Sequence, residues 1–127
     1  MPSQQEYLVG IVEGKNTTAT ILASQDLSTP IETYGASITA LCFPDTFTGS
    51  SITFKVSPDG INYYNLIDGS TGLPYTLLIP STAFAAVPVD LTFLVGFRWV
   101  ILHSGSAQGS DTIIKVQMVP IINKDWN

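Results

Sequence analysis

The sequence has few charged residues, and its positive residues are scattered. Charged side chains make up 12% of the 127 residues, which is about half of their usual share in soluble domains. The net charge is −5 at neutral pH. The five cations are Lys15, Lys55, Arg98, Lys115 and Lys124. Because these cations form no basic cluster that could follow a phosphate backbone, we do not expect nucleic-acid binding.

Cysteine is nearly absent, and long apolar runs are missing. Cys42 is the single cysteine, so the fold cannot depend on a disulfide within the chain or on an oxidising compartment. We expect its thiol to pack as a small hydrophobe in the run Ile38–Phe43. The longest apolar stretch, Leu91–Leu102, is interrupted by polar residues and falls short of the roughly 20 residues that span a bilayer. The first residues lack the basic and apolar parts of a signal peptide, so we expect a soluble protein, not bound to a membrane and made in the cytoplasm.

Apolar and hydroxyl-bearing residues are abundant instead. Apolar residues supply 45% of the chain, and serine and threonine together supply 26 residues. A surface covered by hydroxyl groups rather than charges favours association with other protein chains.

Short β-strand patterns follow one another along most of the chain. In Ser51–Ser57 apolar and polar residues alternate, as in a half-buried strand, and Ser57-Pro58-Asp59-Gly60 is a strong turn. The predicted strands are Tyr7–Glu13, Thr18–Ser24, Ala36–Phe43, Ser51–Ser57, Asn62–Ile67, Tyr75–Ile79, Asp90–Val95, Phe97–His103 and Thr112–Ile121. The first two strands are predicted to form a hairpin around Gly14-Lys15-Asn16. The one helical signal is Ser81–Ala86, which begins with a capping residue and precedes Pro88.

This pattern predicts an all-β fold, a jelly-roll-like antiparallel β-sandwich. We expect residues 1–127 to form one domain with short, extended termini at residues 1–6 and 122–127. The predicted core contains Ile52, Phe54, Val56, Leu66, Trp99 and Ile101.

The strand Phe97–His103 carries large apolar residues on both faces. Its second face, opposite Trp99 and Ile101, is either covered within the sandwich or half of a subunit interface. The cation on that face, Arg98, is costly to bury unless it is paired, so we expect it to meet a carboxylate or carbonyl groups, or to emerge at a subunit contact. The interface candidates are Arg98, Val100, Leu102 and Trp126, the last because a tail tryptophan has little of its own domain to cover it.

Residues that could carry catalysis or bind a metal are isolated in the sequence. His103 is the single histidine, and its neighbour Ser104 should point to the opposite face of a strand. One histidine and one distant cysteine do not form a zinc site. Aspartates at turns could bind Ca²⁺, but turn geometry already explains them. They are Asp45, Asp59, Asp68, Asp90 and Asp111. We therefore predict no enzyme activity, no metal and no cofactor.

Three segments carry a resemblance to a known class of protein. Ile52–Leu66 contains the pattern Phe-x-Val-Ser-x-Asp-Gly, an aromatic-Arg-aromatic strand follows at Phe97–Leu102, and a Ser-Gly loop at Ser104–Asp111 precedes the last strand. With these features the chain resembles small structural proteins of tailed bacteriophages, over about residues 50–120.

That resemblance implies a structural virion protein, most specifically a cement or decoration protein that stabilises the capsid. Its partner would be the major capsid protein or another virion protein, and it would be a homo-oligomer, dimer or trimer, located in the virion. The same segments also resemble discoidin-type carbohydrate-binding sandwiches, although the two cysteines usual in that family are absent and this chain is shorter. The alternative function is therefore a carbohydrate- or receptor-binding module of a phage tail or fibre, in which an exposed Tyr63 or Tyr64 could stack on a sugar ring.

Overall fold

The computed structural model describes residues 15–80 and 84–120, which are nearly all β. The elements in these ranges are β1 (Lys15–Ile21), β2 (Ile31–Glu32), β3 (Ala36–Phe43), β4 (Ser51–Ser57), β5 (Tyr64–Asn65), β6 (Ile67–Asp68), β7 (Leu73–Pro74), β8 (Leu77–Leu78), β9 (Ala85–Pro88), α1 (Leu91–Leu94), β10 (Trp99–Ser104) and β11 (Thr112–Pro120). The predicted termini at residues 1–6 and 122–127, and the predicted strand over residues 7–13, lie outside these ranges.

The strands form two antiparallel sheets that pack face to face. The first sheet has the order β1-β11-β3-β9, and the second has the order β2-β10-β4-β5 with β8 also paired to β4. β6 and β7 form a separate two-stranded ribbon. Buried side chains from both sheets belong to one hydrophobic cluster, as expected where two sheets enclose a core. The predicted antiparallel β-sandwich is confirmed, while the jelly-roll order of strands stays a prediction.

The alternation seen in Ser51–Ser57 correctly identifies the inner face of β4. Its three apolar residues are buried, as is Leu66. The ring of Phe54 stacks on Tyr75 with 5.6 Å between centroids, and Tyr75 stacks on Phe93 at 4.1 Å. Phe54 therefore connects the centre of the second sheet to the segment that contains α1.

The two faces of β10 are the reverse of the prediction. Val100 and Leu102 are fully buried, whereas Trp99 and Ile101 are only partly buried. In the register of β10 on β4, Val100 lies opposite Val56 and Leu102 lies opposite Phe54. Opposite residues in an antiparallel pair share a face, so pairing with β4 turns Val100 and Leu102 into the core.

Three local predictions are also wrong. Asp90–Val95 was predicted as a strand but contains α1, which begins after Asp90 because that carboxylate accepts the Thr92 backbone N–H at 3.0 Å. A helix was predicted over Ser81–Ala86, but its last two residues belong to strand β9. Residues 81–83 lie outside the described ranges. Lys15 and Asn16 belong to β1 and pair with β11 instead of forming a turn.

A β-bulge interrupts the pairing of β3 with β11. Gln117 pairs with Ala40 and Met118 pairs with Ile38, so Thr39 has no residue opposite it. The Thr39 hydroxyl donates to the Gln117 carbonyl at 3.1 Å. Because of this extra residue, Ile38 and Leu41 both point into the core, although residues three apart on a regular strand face opposite sides.

Candidate functional site

The turn after β4 and the tryptophan of β10 form one packed unit. Gly60 has a positive φ of 78°, a conformation that favours glycine. A Cβ atom on Gly60 would lie 2.8 Å from the Trp99 Nε1 atom. Two of the three segments that carry the phage resemblance, Ile52–Leu66 and Phe97–Leu102, are therefore in contact, and the Trp99 indole covers the turn on the outer face of the second sheet.

Asp59 holds this turn closed through its carboxylate. Its Oδ1 atom accepts the backbone N–H groups of Ile61 at 2.8 Å and Asn62 at 2.9 Å, and the Ser57 hydroxyl donates to it at 2.9 Å. These bonds, led by that from the Asn62 backbone, hold the pKa of Asp59 well below its usual value. Burial, with a smaller contribution from the Asp59 charge, raises the pKa of Tyr63. Asp59 is thus a structural turn residue.

Arg98 meets the carboxylate that was expected for it. Its Nη2 atom lies 2.7 Å from Glu32 Oε2, and its guanidinium carbon lies 4.4 Å from the Tyr34 ring centroid and 5.7 Å from that of Trp99. The Arg98 side chain is 49% exposed, so the ion pair is worth little in stability. Its role at a subunit contact stays a prediction.

The predicted interface candidates do not form one surface. Val100 and Leu102 lie inside the core, so their side chains present nothing to another subunit and their assignment to an interface is wrong. Arg98 lies at the surface beside Glu32. Trp126 lies outside the described residues.

The outer face of the first sheet is a surface that the sequence prediction missed. Two rows of side chains cross its four strands. One row is Thr18, Lys115, Cys42 and Ala86, and the other is Asn16, Gln117, Ala40 and Pro88. On β3 and β9 every member of these rows is small and uncharged, whereas the outer face of a sandwich normally carries polar side chains. Cys42 lies here, partly exposed, among small uncharged neighbours on β3 and β9, on the outer side of the run Ile38–Phe43.

Two larger apolar side chains border the small residues of β3 and β9. Phe84 is 77% exposed and Ile113 is 53% exposed. A groove of about 300 Å³ lies between them over Cys42 and Ala86, and an adjoining groove of about 380 Å³ extends from Cys42 and Lys115 to Asn16. We call this continuous surface the small-residue face. Alternate small residues in Ala36–Phe43 and Ala85–Pro88 are its signature in the sequence.

Polar side chains gather on the outer face of the second sheet. The Nε2 atom of His103 lies 3.2 Å from Asp26 Oδ2, and its Nδ1 atom lies 3.4 Å from Thr53 Oγ1. Next to Thr53 on the same face, Lys55 Nζ donates to Asn65 Oδ1 at 2.8 Å. Thr53, Lys55, Asn65 and His103 line a groove of about 280 Å³. Residue spacing could not reveal this group, because strand pairing brings together residues that are about 50 positions apart in the chain.

A buried glutamine ties the Ser-Gly loop to the loop before β4. Gln108 Nε2 donates to the Thr48 carbonyl at 2.8 Å, while Gln108 Oε1 accepts the Thr48 backbone N–H at 2.9 Å. The amide nitrogen also lies within hydrogen-bond distance of the Ser104 hydroxyl and the Ser106 carbonyl, and the amide oxygen accepts from the Thr112 hydroxyl. These contacts explain the Ser104–Asp111 loop as a structural connection.

Within residues 15–80 and 84–120, no group of three or more His, Cys, Asp or Glu side chains could hold a metal ion. None of the helices in that part of the chain is long and apolar enough to cross a bilayer. No family model matches the chain, and no curated protein or solved structure is significantly similar to it.

Proposed function

We propose that this protein is a non-enzymatic structural subunit that binds other protein subunits through the small-residue face. The resemblance of residues 50–120 to phage structural proteins supports a place in a virion, as a cement or decoration protein on the capsid. The single observation that carries the proposal is the uncharged floor formed on β3 and β9 by Ala40, Cys42, Ala86 and Pro88.

Small side chains on two adjacent strands allow another backbone to approach closely. Tight approach increases the number of dispersion contacts, each of which is weak alone but additive over an interface. Lys115 is the one charged side chain that borders both grooves of the small-residue face. Binding there would accordingly depend little on salt, because few charges need to be paired or screened.

Phe84 adds an anchor at the edge of this floor. Its φ is 57°, and a non-glycine residue in this region carries about 1–3 kcal/mol of strain. No contact within the described residues buries the Phe84 ring, which is exposed. Burying a phenylalanine side chain against a partner contributes about 1.5–3 kcal/mol. Exposed aromatic rings beside a well-packed pocket are the residues that commonly dominate binding energy.

The test is a charged substitution in the floor. Ala86→Arg places a long cation over Cys42 and Lys115, so we expect binding to particles that lack the protein to fall by at least about tenfold. Ala107→Arg is the matched control, because Ala107 is an exposed alanine in the Ser-Gly loop that lines neither groove of this face. Occupancy is measured by co-sedimentation with particles, and thermal unfolding shows that both variants fold.

Equal occupancy for the two variants would contradict the proposal. The oligomeric state, proposed to be a dimer or trimer, is read from sedimentation equilibrium of the same proteins. A parent protein that stays monomeric, does not bind particles and binds an oligosaccharide would instead favour the carbohydrate- or receptor-binding alternative.

A further inference from the structure

The polar groove on the second sheet has the composition of a small binding site. His103 lies opposite Thr53 in the pairing of β10 with β4, and Lys55 lies opposite Asn65 in the pairing of β4 with β5. Side chains from three neighbouring strands thus converge on one face, and Pro74 forms an apolar wall beside them. The volume of about 280 Å³ is near the small end of ligand pockets and suits a single ring.

The donors in this groove outnumber its acceptors. Lys55 Nζ gives one proton to Asn65 Oδ1 and has two more, while the Asn65 amide nitrogen carries two of its own. One cation flanked by neutral donors is the arrangement that binds a carboxylate, since charge-assisted bonds are the strongest of this kind.

His103 controls which way the Thr53 hydroxyl points. With Nε2 donating to the Asp26 carboxylate, Nδ1 is free to accept a hydrogen bond. In neutral His103 the Nδ1 atom is an acceptor, and the Thr53 hydroxyl donates to it.

We infer that this groove binds a small carboxylate ligand that carries neighbouring hydroxyl groups, as a sugar acid does. The carboxylate lies at Lys55 and Asn65, a ligand hydroxyl donates to the Thr53 oxygen, and the ring packs on Pro74. This binding is independent of the assembly role proposed above, because the groove and the small-residue face are on opposite sheets.

Titration with glucuronate, and with glucose as its neutral counterpart, tests the inference by NMR chemical-shift mapping. We expect glucuronate to bind at least about tenfold more tightly than glucose. Equal binding of the two sugars, no binding of glucuronate at millimolar concentration, or shifts that map elsewhere would overturn the inference.

Two variants assign the roles within the groove. Lys55→Gln should lower glucuronate affinity about tenfold, while Lys115→Gln on the opposite sheet should leave it unchanged. If Lys55→Gln binds glucuronate as tightly as Lys115→Gln does, the site is not the one described.

Discussion

Replacing Gln108 with alanine should destabilise the protein more than any other glutamine substitution among the described residues. Gln108 is 2% exposed and its amide takes part in five hydrogen bonds. At about 1 kcal/mol of net stability for each bond, their removal would cost at most about 5 kcal/mol, and less because the two Nε2 protons are shared among three acceptors. The loss is smaller still, because Thr48 is exposed and can form hydrogen bonds with water in the variant. The Thr112 hydroxyl also still donates to the Ser110 carbonyl at 3.1 Å. We therefore expect a loss of about 2–4 kcal/mol in the free energy of unfolding.

Urea unfolding followed by tryptophan fluorescence measures this loss. The midpoint should fall while the slope stays the same, since the surface exposed on unfolding hardly changes. Gln117→Ala is the matched control, because Gln117 lies on the outer face of β11, only partly buried, and its loss should cost less than about 0.5 kcal/mol.

Gln108→Glu tests the direction of the amide. Glutamate has almost the same size but has no N–H group to donate to the acceptors on Thr48, Ser104 and Ser106, so it should be at least as destabilising as alanine. A loss below about 1 kcal/mol for Gln108→Ala, or equal losses for Gln108→Ala and Gln117→Ala, would refute the account of this loop.

Three further predictions concern the turn and the strand that packs on it. Gly60→Ala should cost about 1–3 kcal/mol through backbone strain and shift the Trp99 emission; an unchanged spectrum and midpoint would contradict the close contact. Leu102→Ala should cost about 2–5 kcal/mol and Ile101→Ala clearly less, and the reverse order in urea unfolding would show that the faces of β10 are misassigned. The carboxyl carbon of Asp59 should titrate by NMR well below 3.8, so its contribution to the turn is present above about pH 4 and is lost as the pH falls through that lowered pKa; titration near pH 4 would contradict this.

The sandwich and the centre of its second sheet could be predicted because their sequence signals are unambiguous. In β4 apolar and polar residues alternate strictly, so only one face can be buried. In β10 both faces are apolar, so periodicity within the strand does not show which face is buried. Val100 and not Trp99 faces the core because Val100 lies opposite Val56 in the pairing with β4. The short helix α1 had a local signal, because Asp90 precedes Leu91 as a capping residue.

The candidate sites were harder to predict for two different physical reasons. The small-residue face is made of side chains without reactive groups, so a search for catalytic or metal-binding residues passes over Ala40 and Ala86. The polar groove depends on pairing between strands, which places His103 beside Thr53. Trp126, the one predicted interface candidate from the tail, lies outside the described residues and stays a prediction.

Because of the bulge at Thr39, β3 could be one residue shorter and still point the same side chains into the core. Ile38 and Leu41 point inward on either side of it, so a chain without Thr39 would alternate regularly from Ala36 to Phe43 and keep every inward residue inward. Removing Ala40, the other outward residue at the bulge, would have the same effect, whereas removing Cys42 would turn Leu41 or Phe43 outward. This strand can therefore lose one residue at the bulge without changing which side chains fill the core, and a chain that lacks Thr39 or Ala40 should keep a higher unfolding midpoint than one that lacks Cys42.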